Sequence, residues 1–155
     1  VGMAKAFDEM RQLGWIDPEA PTPRMVAVQA RGCAPVVEAF EQGRERTSPP
    51  VDPHTVAAGL CVPRPLGDRW MLRVLRDSHG MAVAVEDEDL VEGSFELART
   101  EGVFGAPEAG ALVAALRRLR SSGDIEESDE VVLFVTGTGL KYPEVLSRPA
   151  GEHEV

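Results

Sequence analysis

Three short apolar runs constrain this chain more than any other feature: RMVAVQA (24–30), MAVAV (81–85) and EVVLFVTG (130–137). None shows the apolar/polar alternation of a strand with one wet face, and each is too short for a buried helix. Each therefore reads as a strand buried on both sides. Between them lie segments with helical spacing. Buried strands alternating with helices predict an α/β fold, a parallel sheet with helices on both faces.

The helical segments follow from apolar spacing and stop signals. Met3, Phe7 and Met10 in VGMAKAFDEMRQLGWI stand at i, i+4 and i+7, and Gly14 suits a C-terminal cap. That stripe is already under way at Val1, with no N-capping residue before it, so the chain reads as the C-terminal part of something longer. DPEAPTP (17–23) reads as a loop. VVEAFEQG (36–43) predicts a helix ended by Gly43. RWMLRVLRDSHG (69–80) predicts one with Trp70 and Val74, joined by Met71 and Leu75, on its inner face and Gly80 as its cap. EDEDLVEGSFELARTEG (86–102) opens with four carboxylates, which suit the positive end of a helix dipole. PEAGALVAALRRLRSSG (107–123) has Pro107 near its first turn, a Leu112–Leu116–Leu119 stripe and a terminal Gly123. RERTSPPVDPHT (44–55) is a polar, proline-rich surface excursion. AAGLCVPRPLGD (57–68) puts a glycine among small apolar residues and then two helix-stopping prolines. The tail SRPAGEHEV (147–155) is polar.

Charge and composition exclude several functions. The formal net charge is −10, which attracts neither nucleic acid nor anionic lipid. No apolar run is long enough to span a membrane and no signal segment opens the chain. The expectation is a soluble cytoplasmic domain. Cys33 and Cys61 lack any CxxC or metal-ligand spacing, so buried, reduced thiols are their reading; a disulfide has no support in the sequence. His54, His79 and His153 are isolated and no pair has metal spacing, so no metal site is expected. The EDED cluster reads as a helix start rather than a metal site.

The sharpest motif is VVLFVTGTGLKYPEVL (131–146). Ligand sites in parallel sheets form at the C-terminal ends of strands, where TGTG would lie. The phosphate loop GxxxxGK[ST] is excluded: the glycine spacing is wrong and Tyr142 follows Lys141. The dinucleotide pattern GxGxxG fails because Tyr142 occupies the third glycine position. Read alone, TGTG is a turn from a strand into a last helix whose glycines permit positive φ. Thr136 stands out as a neutral hydroxyl at a buried strand end. The chain has fourteen arginines but only two lysines, Lys5 and Lys141, so any catalytic amine within it would be one of those. Lys141 reads as a solvated side chain at the start of the last helix. Glu108, at the head of its helix, reads either as a favourable partner of the helix dipole or as a carboxylate at a pocket edge.

Five segments together carry a resemblance: PRMVAVQARGCAPVVEAF, TVAAGLCVPRPLGD, LRDSHGMAVAVEDED, EGVFGAPEAGALVAAL and VVLFVTGTGLKYPEVL. In this order and spacing they resemble the C-terminal part of the threonine synthases, a branch of the fold-type-II (tryptophan synthase β-like) enzymes that use pyridoxal 5'-phosphate. The resemblance covers residues 1–148, which it assigns to a catalytic domain, and leaves 149–155 as a tail. It implies that Thr136 hydrogen-bonds the cofactor's pyridine nitrogen. It also implies that Gly137 and Gly139 let the backbone pass close to the ring, that Ala57, Ala58 and Gly59 line the pocket, and that Glu108 lies near it. The implied reaction of the longer protein is that of a lyase: O-phospho-L-homoserine and water give L-threonine and phosphate, in a homodimer. The family's Schiff-base lysine and its phosphate-binding loop have no counterpart in this sequence. No catalytic residue is therefore assigned within it, and the chain alone is expected to be inactive. Two alternatives stand beside this reading: another fold-type-II enzyme, such as a threonine or serine dehydratase or a cysteate synthase, and a non-catalytic relic domain.

Overall fold

Strands β1 (Val26–Ala30) and β2 (Met81–Val85) pair in parallel, with Val26 opposite Met81 and Ala30 opposite Val85. This computed structural model describes residues 1–147, so the tail 149–155 lies outside the described residues. Five α-helices accompany the strands: α1 (Gly2–Gln12), α2 (Pro35–Glu41), α3 (Asp68–Asp77), α4 (Asp87–Glu101) and α5 (Pro107–Ser122). The sheet's alternation separates two cores. Val28, Ala30, Val83 and Val85 pack with Ala57, Leu90 and the α5 residues Ala111, Ala115 and Leu119. On the opposite face Ala27 and Ala82 meet Val36 and Ala39 of α2 and Leu72 and Leu75 of α3. Alanines on that face let these helices sit close to the sheet. The two-faced α/β arrangement is as the apolar runs predict.

The third run departs from expectation. Residues 130–137 do not join the sheet. They are extended, and the segment is held by a single antiparallel bridge between Gly105 and Thr138. Val132 is 76% exposed and Phe134 56%. A strand exists through hydrogen bonds to a neighbour. Among the described residues no strand runs beside this segment; of its apolar residues Leu133 packs against Leu97, Ala109 and Val113, while Val132 and Phe134 stay largely exposed.

Two helix faces also differ from the predicted ones. In α3 the buried residues are Leu72 and Leu75. Met71 and Val74 flank them half-buried, and Trp70 is 67% exposed, because the face turned to α2 is centred on the two leucines. In α5 Leu119 is buried, but Leu112 and Leu116 are only half-buried. The inner face is built instead from Ala109, Gly110, Ala111, Val113, Ala114 and Ala115. The reason is the neighbouring helix. A Cβ on Gly110 would collide with the Leu90 carbonyl oxygen and stand 2.6 Å from Ser94 N, and one on Gly93 would collide with the Gly110 carbonyl. Ser94, fully buried, places its hydroxyl 3.1 Å from both the Leu90 and Ala106 carbonyls. Small residues at the crossing let α4 and α5 approach backbone to backbone, which leaves the larger leucines at the margin.

Local chemistry sets the ends of the elements. The Gln29 side-chain oxygen accepts from Val36 N at 2.8 Å and Val37 N at 3.1 Å, satisfying the first turn of α2. After α3 the chain reverses at His79, the one non-glycine residue with positive φ (49°) among those described. Gly80, the expected cap, serves close packing instead, since a Cβ there would strike the Met25 carbonyl. The 44–55 excursion is tied at both ends. Thr47 N donates to Asp68 at 2.9 Å, His54 N donates to Gly32 O at 3.2 Å, and Thr55 Oγ1 and Val56 N donate to Asp87 at 2.6 and 2.9 Å. Part of the EDED cluster thus pins a returning loop.

Candidate cofactor site

Three segments distant in sequence meet beside the N-terminus of α5. The first is GVFGAPE (102–108), which enters the helix through Ala106 and Pro107. The second is TGTGLKY (136–142), which runs antiparallel to it. Ala106 N donates to Gly137 O at 3.1 Å, and Gly139 N donates to Phe104 O at 2.9 Å. The third is AAGL (57–60), a short 3-10 turn over Ala58–Leu60.

Glu108 joins all three. Its Oε1 accepts from Gly59 N at 2.9 Å and from the Tyr142 hydroxyl at 2.5 Å. A Cβ on Gly59 would lie 2.6 Å from Glu108 Oε1, so any side chain there would push the carboxylate aside. The carboxylate beside it raises the Tyr142 phenol above its ordinary value of 10.0: it accepts the phenol's proton in a hydrogen bond, partial burial adds to the rise, and a phenolate would face it as a second anion. Glu108 Oε2 is buried and has no hydrogen-bond partner among the described residues.

The predicted residues take different places around this junction. Ala57 is fully buried in the core under the sheet, while Ala58 and Gly59 are exposed. Gly137 is half-buried beside the Ala106 methyl. Gly139 is buried, and its missing side chain makes room for the Phe104 ring, 2.8 Å from where a Cβ would be. Thr136 is exposed, at the end of an unpaired extended segment rather than of a buried strand. Lys141 is exposed and belongs to a short 3-10 turn (Gly139–Lys141), not to a last helix. His54 and His79 are exposed and apart from the junction; His153 lies outside the described residues.

Sequence reasoning missed Tyr142 and the packing pair Phe104–Gly139. Tyr142 counted only as the residue that spoils the glycine motif. As the single tyrosine of the chain, placed three residues after Gly139, it had a signal of its own: a phenol half-buried in a turn needs an acceptor.

The site suits a flat polar heteroaromatic group. The Thr136 hydroxyl is exposed and makes no protein hydrogen bond among the described residues, and Glu108 Oε2 is a buried acceptor without a donor. Ala58 and Gly59 are exposed beside it, and Gly137 is half-buried.

Comparison with known proteins gives the family. The model of the family "Pyridoxal-phosphate dependent enzyme" matches residues 1–137, and the chain belongs to that family. Its cofactor is pyridoxal 5'-phosphate. Among curated proteins, the threonine synthase of Methanocaldococcus jannaschii is 35% identical over 148 residues, covering 96% of this chain and 36% of that protein. That of Methanosarcina acetivorans is 35% identical over 142 residues, covering 92% and 34%. That of Mycobacterium tuberculosis is 33% identical over 140 residues, covering 90% and 36%. The chain thus spans about a third of the length of these relatives. Among solved structures, a fungal L-serine ammonia-lyase from Rhizomucor miehei superposes with a TM-score of 0.64 over 90% of this chain and 44% of that one, at 16% identity, a likeness of fold.

Proposed function

We propose that this chain is the C-terminal portion of a threonine synthase, which converts O-phospho-L-homoserine and water to L-threonine and phosphate. The observation that carries this reading is the similarity to threonine synthases along nearly the whole chain, at 30–35% identity, including the TGTGLKY and GVFGAPE segments that meet at Glu108. In the proposal these residues hold one end of the cofactor and no residue of this chain is the reacting amine; the chain by itself is inactive, and the longer protein is a cytoplasmic homodimer.

Bound pyridoxal phosphate supplies an electron sink for eliminating and replacing groups at the β- and γ-carbons of an amino acid. Thr136 would donate a hydrogen bond from its hydroxyl to the ring nitrogen. Because the hydroxyl is neutral, it does not hold a proton on that nitrogen, which moderates the sink. Gly137 and Gly139 keep the chain thin beside the ring. Glu108 orients the rim: it ties the 57–60 turn to Tyr142, so Ala58 and Gly59 stay in place.

The test uses the longest natural reading frame containing residues 1–155, purified with the cofactor. Phosphate release from O-phospho-L-homoserine is measured beside a Thr136→Val variant. Release by the parent and a fall of about tenfold or more in the variant is the expected result, in the range of losing one positioned hydrogen bond at a reacting group. A cofactor-loaded parent that releases ammonia from serine or threonine, and no phosphate, would replace this reading with a dehydratase.

A further inference from the structure

A cleft lies on the far side of the sheet from the Glu108 junction. Helix α3 covers the sheet face that carries Ala27 and Ala82, whereas α5 covers the face of Val28 and Val83. The outer side of α3 and the first residues of the 44–55 excursion enclose a space of about 400 Å3. Its lining is Glu45, Arg69, Trp70, Arg73, Arg76 and Asp77. Arg69, Arg73 and Arg76 stand at i, i+4 and i+7, and Trp70, Arg73 and Asp77 at i, i+3 and i+7. One face of the helix, turned away from the buried Leu72 and Leu75, therefore presents all five.

Two hydrogen bonds fix the walls. At one end Arg76 Nη2 donates to the Arg44 carbonyl at 2.6 Å, and the Arg76 guanidinium carbon lies 5.9 Å from the centre of the Phe40 ring. At the other end Thr47 N donates to Asp68 at 2.9 Å. Between these ends the cations have spare capacity. Arg73 makes no hydrogen bond or ion pair among the described residues. Arg69 and Glu45 are 4.0 Å apart and both exposed, a pair that contributes little. Arg44 Nε is buried without a hydrogen-bond partner among the described residues. Trp70, 67% exposed, lines the same space. The chain as a whole carries a net charge of −10, so three arginines gathered around one exposed tryptophan run against its general character.

We propose that this cleft binds a nucleoside phosphate. Each part of the lining answers one part of that ligand. Arg69 and Arg73 take the phosphate through paired, charge-assisted hydrogen bonds, and Glu45 releases Arg69 as the phosphate arrives. The Trp70 indole stacks on the base, which every nucleobase permits because each has a flat face. The Asp77 carboxylate accepts from the ribose hydroxyls, as acidic side chains do in dinucleotide sites. Because Arg76 is held in place before the ligand arrives, little ordering is left for binding to impose. The volume falls within the range of about 300–1,000 Å3 common for small-molecule sites. A bare anion would use the arginines and leave Trp70 and Asp77 idle. The proposal stands on this cleft alone and holds whichever substrate the protein uses.

The test titrates adenosine monophosphate (AMP) into the purified longest natural reading frame by calorimetry. The protein is loaded with pyridoxal phosphate, so the cofactor's own phosphate site is filled. Inorganic phosphate and adenosine are titrated in parallel. One saturable site is expected, with AMP about tenfold or more tighter than either fragment. Arg73→Ala and Trp70→Ala each weaken AMP about tenfold, the range of one charge-assisted hydrogen bond or one base stack. Trp70→Ala leaves the binding of inorganic phosphate unchanged. Both side chains are exposed, so neither change disturbs the fold, and a parent-like thermal midpoint checks this. Absence of saturable AMP binding up to about 1 mM would overturn the proposal. AMP binding that neither variant weakens would overturn it too, by placing the nucleotide elsewhere. Inorganic phosphate that binds as tightly as AMP would overturn the nucleotide and leave a plain anion cleft.

Discussion

The α4–α5 crossing and the junction around Glu108 lie only a few residues apart, yet they are held together by different physics. At the crossing, Gly93, Gly110 and Ser94 bring two backbones into contact, and the buried surface is dense with small apolar side chains. Nothing there can shift without moving a helix. At the junction, three segments are joined by four hydrogen bonds, two of them meeting at one carboxylate. The contrast separates shape from chemistry. The crossing sets the position of α5 and therefore of Glu108, while the junction leaves polar atoms available to a ligand.

The comparison breaks most readily at the crossing. Gly110→Ala drives a methyl into the Leu90 carbonyl and is expected to cost on the order of 3 kcal/mol, read from the urea midpoint. A loss below about 1 kcal/mol would mean that the helices slide apart easily and that the crossing is not rigid.

Glu108→Ala comes next. It strands the Gly59 N–H and the Tyr142 hydroxyl, both partly open to water, so about 2 kcal/mol is expected from chemical denaturation. A cost equal to that of Gly110→Ala would erase the distinction between the two regions.

Tyr142→Phe removes one of those bonds, and about 1 kcal/mol is expected. Its pH signature is more telling. The phenol's folded value is raised, so the folded state holds that proton more tightly than the unfolded chain does. The resulting stability is complete below pH 10.0 and is lost as pH rises through the raised value. Denaturation midpoints measured from pH 8 upward, relative to other alkaline effects, should show that loss in the parent and not in Tyr142→Phe. Equal alkaline profiles in the two would mean that the Glu108–Tyr142 bond does not form in solution.

The smallest effect belongs to Trp70→Ala. Its side chain is 67% exposed, and the expected change stays within about 0.5 kcal/mol by thermal or chemical denaturation. A larger loss would return Trp70 to the inner face of α3, where its spacing first suggested it.

Much of the architecture was legible in residue order. MAVAV is β2 to the residue, and helices α2 to α5 lie within three residues of the segments their spacing and stop signals mark. Those features are local: periodicity, capping and proline placement act over one or two turns of chain. Which face a helix buries was less legible, as α5 shows. Leucine spacing pointed one way, but close approach of a glycine on α4 to a glycine on α5 turned the small residues inward.

The candidate site was legible as a set of segments and not as an arrangement. Thr136, Gly137, Gly139, Gly59 and Glu108 were all named from the residues and the family resemblance. That Glu108 ties Gly59 to Tyr142 could not be, because those bonds span 49 and 34 positions.

By itself, then, the sequence determined the alternation of strands and helices, the acidic surface and the inventory of polar groups, because each depends on neighbours a few positions away. Only the tertiary structure decided that VVLFV stands unpaired, that Gly139 makes room for Phe104 and that Glu108 ties Gly59 to Tyr142. Each of those depends on which distant segments share a volume, and close packing and hydrogen-bond geometry settle that only once the chain has folded.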